Sequence, residues 1–284
     1  MAYDKVIDSS KLDSDLTSVA DAIRSKGGTS EALAFPAGFV SAIEAIEAGG
    51  GGDDVARSIV NKTITAYSDN EITTVGAYAF NGCNKMTSVN LQNATYVGTS
   101  AFDGCSALTD VNLPNAKTVG GSAFQNCTSL TKLDLPKATE LNNYLVSGCS
   151  SLTELNMPNA ESGKGFAISG SKIEHLYLPK FTSPGSSVFR NATYLRTVDM
   201  PLLNNVQHSL FTGCSALENV TFPKATSVEP QAMYGCSALT YADLPICKRI
   251  AEKRLLQLYG IGNINSSIIH GGLHTGKCRC VDRD

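Results

Sequence analysis

The strongest constraint on this chain is a period. Cys83, Cys105, Cys127 and Cys149 stand 22 residues apart, and so do Cys214 and Cys236. Pro114, Pro136, Pro158, Pro179, Pro201, Pro223 and Pro245 keep that step, except for one of 21 between Pro158 and Pro179. Self-similarity at a fixed period of this size means stacked repeats. A 22-residue unit cannot bury its own apolar face, so each coil must pack on its neighbours. Within Leu108-Thr109-Asp110-Val111-Asn112-Leu113, Val111 and Leu113 have the alternation of a short strand with one buried side. Leu108, Val119, Ala123, Phe124 and Cys127 recur at fixed offsets and are expected to fill the interior. Pro114 marks the strand's end, where a missing N–H costs little. Residues 72–83 (ITTVGAYAFNGC) form a half-coil that begins the stack. The expected fold is a mostly β repeat solenoid of about eight coils, on the order of 40 Å long at the usual strand spacing.

Composition agrees. Charged residues make up 17% of the chain and Gly is frequent, which suits short strands and turns better than a helical bundle. The formal net charge of −3 leaves no basic footprint, which argues against a nucleic-acid partner. No apolar run approaches the length of about 18 residues needed to span a bilayer, so no membrane insertion is expected. The N-terminus MAYDKVIDSSKLDSD is polar and acidic, does not read as a secretory signal, and places synthesis and folding in a cytoplasm.

The phrase L-T-x-V-x-L-P-x-A-x-x-V-x-x-x-A-F-x-G-C resembles the BspA-like class of leucine-rich repeats over residues 58–246. Such repeats occur in bacterial surface proteins, some protist proteins and phage tail proteins. The resemblance implies the fold and a binding role, since the class is united by architecture and not by an active site.

Outside the repeat, residues 1–48 read as a separate helical module. Leu12, Leu16, Val19, Ala20 and Ile23 lie at helical spacing within residues 10–26, and a second short helix is expected over residues 36–48. Residues 49–57 contain Gly49–Gly52 and form a flexible linker. Two short helices make a marginal core, so self-association or docking on a partner is expected, with a trimer favoured. The phrase LTSVADAIRSKGGTSEALAFPAGFVSAIEAI also resembles the N-terminal segment of tail proteins from phages and prophages of Gram-positive bacteria. That resemblance implies an attachment module at the N-terminus and a virion location after cytoplasmic assembly. Residues 247–284 are expected to leave the repeat as a cap and tail, with Lys248–Tyr259 a basic amphipathic helix covering the open end of the stack.

Three features carry potential chemistry. The cysteine column is read as small buried hydrophobes, not as a disulfide or metal array, because Gly170 and Ala192 take its place in the irregular coils. In the tail, His270, His274, Cys278 and Cys280 are candidate ligands for a structural zinc, although a Cys-x-Cys pair is tight for one tetrahedral ion. On the strand face, Asp134, His175, Tyr177, Asp199, Tyr241 and Asp243 form a candidate glycan-binding strip, with aromatic faces for sugar rings and polar groups for hydroxyls.

No nucleophile elbow, zinc-protease motif or phosphate-binding glycine loop is present, so no enzymatic activity is expected. The expected function is that of a tail-associated adhesion protein whose repeats bind a host cell-surface receptor or glycan, alongside other tail proteins. The alternatives are a bacterial cell-surface adhesin, or a spacer whose C-terminal tail is the receptor tip.

Overall fold

A computed structural model describes residue 59, residues 61–247, residues 249–250 and the backbone of residues 263–265. The helical module 1–48 and the linker lie outside the described residues, as do the four His and Cys residues of the tail.

Each coil contributes a three-residue strand and then a two-residue strand. The first coils hold β1 Ala66–Ser68, β2 Thr74–Val75, β3 Ser88–Asn90, β4 Tyr96–Val97, β5 Asp110–Asn112 and β6 Thr118–Val119. The middle coils hold β7 Lys132–Asp134, β8 Glu140–Leu141, β9 Glu154–Asn156, β10 Ser162–Gly163, β11 His175–Tyr177 and β12 Ser183–Pro184. The last hold β13 Thr197–Asp199, β14 Asn205–Val206, β15 Asn219–Thr221, β16 Ser227–Val228, β17 Tyr241–Asp243, β18 Arg249–Ile250 and β19 Asn263–Asn265.

The longer strands pair with one another in a front ladder, and the shorter ones pair along a second side. The described pairings are parallel and join residues one period apart, as Val198 with Val220 and Val206 with Val228. This is a β-solenoid of about eight turns. Strands this short suffice because most coils find the next in the same register, so backbone hydrogen bonds are satisfied between them.

The third side of each coil is a run of turns with two left-handed positions. One is held by glycine in most coils, from Gly82 (φ 71°) to Gly235 (φ 77°), with Asn126 and Asn191 in two of them. Glycine and asparagine accept that conformation at least cost, which explains the glycine before cysteine in the repeat phrase.

One continuous core runs from Ile64 to Ile250. Its aromatic spine is stacked coil upon coil, with ring centroids 5.2 Å apart for both Phe80–Phe102 and Phe102–Phe124. Leu108, Val119, Ala123, Phe124 and Cys127 are buried as the period requires. Val111 is only half-buried, beside the place where the ladder lapses between β5 and β7.

Two expectations are corrected. The occupant of the cysteine column in the irregular coil is Ser171, not Gly170: Ser171 is buried, while Gly170 takes the left-handed turn position (φ 73°). The missing residue of the period falls after Ser171, so counting a full 22 from Cys149 reaches the right place. At the C-terminal end, Arg249–Ile250 form β18, paired with β16, where a helix from Lys248 was expected. The remainder of that helix, residues 251–259, lies outside the described residues. Strand β19 pairs with β17 in the 22-residue register, so the repeat geometry continues to Asn265.

Candidate binding cleft on the strand face

Within each front strand the middle residue points inward and its two neighbours point out, as in Glu154-Leu155-Asn156 and His175-Leu176-Tyr177. Parallel pairing in register turns the outward residues into two columns. All six strip residues named from sequence stand in these columns on one face.

The columns are not uniform. The front ladder is continuous from β11 to β19 and from β7 to β9, but β9 and β11 are not paired with each other. That seam follows from a turn one residue short. Between the inward positions of Cys149 and Leu152 stand two residues, whereas between Ser171 and Ile173 stands only Lys172. In most coils the residue before the strand donates its N–H to the coil behind, as Thr153 does to Thr131 O (3.0 Å) and Arg196 to Glu174 O (2.8 Å). At the short turn the bond is made early instead, from Lys172 N–H to Leu152 O (2.9 Å).

An open cleft of about 540 Å³ lies over the seam. Lys132, Asp134, Glu154 and Asn156 line it from β7 and β9. Lys172, Glu174, His175 and Tyr177 line it from the short turn and β11. The cleft gathers Asp134, His175 and Tyr177 of the expected strip, while Asp199, Tyr241 and Asp243 lie along the same face away from it. Lys172 and Glu174 were not anticipated. The single step of 21 between Pro158 and Pro179 was the signal that could have found them.

Within the cleft, the Lys132 ammonium lies 3.4 Å from Asp134 and 3.5 Å from Glu154. These two carboxylates, Asp134 first, push the lysine's pKa above its ordinary value. His175 Nδ1 is 2.7 Å from Thr197 Oγ1, which holds the ring and leaves Nε2 toward other partners. Tyr177 is 60% exposed, so its ring is offered to solvent. Such a surface can hydrogen-bond a polar ligand and stack against an apolar ring face.

The cysteine column is a structural device. All seven described cysteines are buried, and Cys83, Cys105, Cys127, Cys149, Cys214 and Cys236 are free thiols. Sγ of Cys105, Cys127, Cys149, Cys214 and Cys236 donates to the carbonyl of a phenylalanine one coil back, at 3.0–3.2 Å. Among the described residues no group of His, Cys, Asp and Glu is placed to hold a metal ion, and no helix is long and apolar enough to cross a membrane.

The chain is similar to several solved leucine-rich repeat proteins. A leucine rich cell surface protein from Faecalibacterium prausnitzii is 18% identical, with 72% of this chain and 79% of that one covered and a TM-score of 0.41. A leucine-rich repeat protein from Bacteroides ovatus is 20% identical over 72% and 73% of the two chains, with a TM-score of 0.39. A leucine rich repeat protein of T. pallidum is 23% identical over 69% and 79%, with a TM-score of 0.44. A search of the curated proteins finds no match. The family described as the BspA type leucine rich repeat region matches in six copies, across residues 73–196, 117–240 and 182–268. The chain belongs to the BspA-type leucine-rich repeat family.

Proposed function

We propose that this chain is a non-catalytic adhesion protein whose solenoid binds a host cell-surface receptor through its strand face. In this reading residues 1–48 attach it, as a homo-oligomer, to a phage tail. The observation that carries the binding role is the cleft over the β9–β11 seam, an open and chemically mixed concavity on the strand face. Asp134 and Glu154 share Lys132 at a solvated surface. That is unlike the apolar pocket that turns a carboxyl into a general acid at neutral pH, which supports binding over hydrolysis. Several copies on one particle multiply a weak single-site affinity, because tethered sites raise the effective concentration. The tail assignment rests on the N-terminal phrase LTSVADAIRSKGGTSEALAFPAGFVSAIEAI and its resemblance to phage tail proteins.

A second reading, a bacterial cell-surface adhesin, is favoured by the family match across residues 73–268. Immunogold electron microscopy of a lysate of the source culture, with antibody against residues 53–284, separates the two. Gold at the tips of phage tails is the expected result. Gold spread over intact cells, with bare virions or none, overturns the tail assignment and leaves the surface adhesin.

A further inference from the structure

We infer that the ligand seat is the register fault itself: the one-residue-short turn before β11 holds open the seam with β9, and the cleft so formed takes an uncharged saccharide. This rests on the adhesion reading above and goes further by naming the seat and the class of ligand.

The seat follows from a coincidence of two independent features. The repeat steps by 21 instead of 22 at one point in the proline series, and the missing residue falls between Ser171 and Ile173. The cleft lies over that same turn, with Lys172 in its wall. The front ladder also lapses between β5 and β7, where the period is intact, yet no residue of β5 lines the cleft. What sets the β9–β11 seam apart is the shortened turn, with Lys172 and Glu174 in the cleft wall.

The class of ligand follows from what the walls present. The facing edges of β9 and β11 form no ladder with each other, and polar side chains line the cleft above them. Asn156 and Thr153 add a carboxamide and a hydroxyl, and His175 adds Nε2. Sugar hydroxyls each donate and accept, and so suit such a mixture. The exposed ring of Tyr177 provides the apolar surface against which the C–H face of a pyranose packs. At 540 Å³ the cleft falls within the range of about 300–1,000 Å³ typical of small-ligand sites.

Charge decides against an anionic polymer. Lys132 and Lys172 face Asp134, Glu154 and Glu174, two positive groups against three negative, and Lys132 is already shared between two of the carboxylates. A phosphate-, sulfate- or carboxylate-bearing chain would meet net repulsion. A neutral saccharide instead donates its hydroxyls to these carboxylates, and hydrogen bonds to charged groups are the stronger kind.

The test uses the full chain on an array of immobilised uncharged, amino-bearing and anionic saccharides, and in parallel on intact Gram-positive cells. Two variants accompany it: insertion of one serine between Ser171 and Lys172, which restores the period, and Tyr177→Ala on the exposed face. The expected result is binding confined to uncharged saccharides and to cells, with a loss of about tenfold or more in both variants. Thermal unfolding of Tyr177→Ala should match that of the parent, and if the insertion disturbs folding, Tyr177→Ala and Asn156→Ala decide the matter. Parent-like cell binding by folded variants overturns the seam as the seat and leaves the adhesion reading standing. Binding confined to anionic or amino-bearing saccharides overturns the ligand class. A parent chain that binds neither cells nor saccharides overturns the adhesion reading itself, and this inference with it.

Discussion

Cys149 donates its thiol hydrogen to the carbonyl oxygen of Phe124, 3.0 Å away and one coil back. The same oxygen accepts the backbone N–H of Cys127 (3.4 Å), so it is bonded from its own coil and from the next. Cysteine is thus more than a small hydrophobe at this position. Where serine replaces it, the bond turns inward: Ser171 Oγ donates to Ile168 O of its own coil at 2.7 Å.

Replacing Cys149 with alanine removes the bridging donor and leaves a small void. The expected cost is about 1–2 kcal/mol, the sum of a weak buried hydrogen bond and a modest cavity. Cys149→Ser should recover part of it, since a serine hydroxyl in this column donates to a carbonyl of its own coil, as Ser171 does to Ile168 O. Urea denaturation of the parent and the two variants checks the order.

The thiols also set a pH dependence at the alkaline end. Burial pushes Cys105 and Cys236 up to about 12, and burial raises Cys83 against the opposing charge of Lys62. An unfolded thiol ionises near about 8.5. The folded state therefore holds these protons longer, and the stability linked to them is complete below that pH and lost as pH rises from it toward 12. The urea midpoint should fall between pH 8 and pH 10, at roughly one-half to one and a half units either side of the unfolded thiol's pKa. Iodoacetamide at about pH 8.5, mapped by mass spectrometry, should label Cys105, Cys127, Cys149, Cys214 and Cys236 only after unfolding.

Phe102 stands between Phe80 and Phe124 in the aromatic spine, stacked 5.2 Å from each and fully buried. Phe102→Ala loses burial and both ring contacts, at an expected cost of about 3–5 kcal/mol. Because each coil is stabilised by its neighbours, the loss should broaden the denaturation curve as well as shift it. Monitoring by circular dichroism and by tyrosine fluorescence tests for that loss of cooperativity.

Gly98 is required by close approach of the backbone. A Cβ there would stand 2.4 Å from the amide nitrogen of Ala77 in the preceding coil, and no side-chain motion relieves such a contact. Gly98→Ala should cost more than about 2 kcal/mol, an unusually large effect for so small a change. Thermal unfolding of the purified variant measures it, and a change within about 0.5 kcal/mol would show that the coils separate at little cost.

Much of this architecture was legible before any coordinates. The cysteine and proline spacings determined the coil length, the parallel register and the inward set, because in a stack each residue's neighbours are its own equivalents one period away. The outward columns holding Asp134, His175 and Tyr177 followed from the same count and the two-residue alternation of a strand. The charged walls were less visible. Lys172 stands in a turn, outside the alternation that marks a strand face, and only the step of 21 pointed to its coil.

The tertiary structure alone decided where pairing stops. The step of 21 could be counted in the sequence, but not that the missing residue falls after Ser171, since Gly170 and Ser171 are both small enough for the interior. Nor could counting show that the strands separate between β5 and β7, where the period is regular, as well as between β9 and β11. A sequence period specifies which residues face one another across coils. Whether their backbones come within hydrogen-bonding distance depends on how the turns at both ends of the strand hold it, a balance struck only once all the coils are stacked.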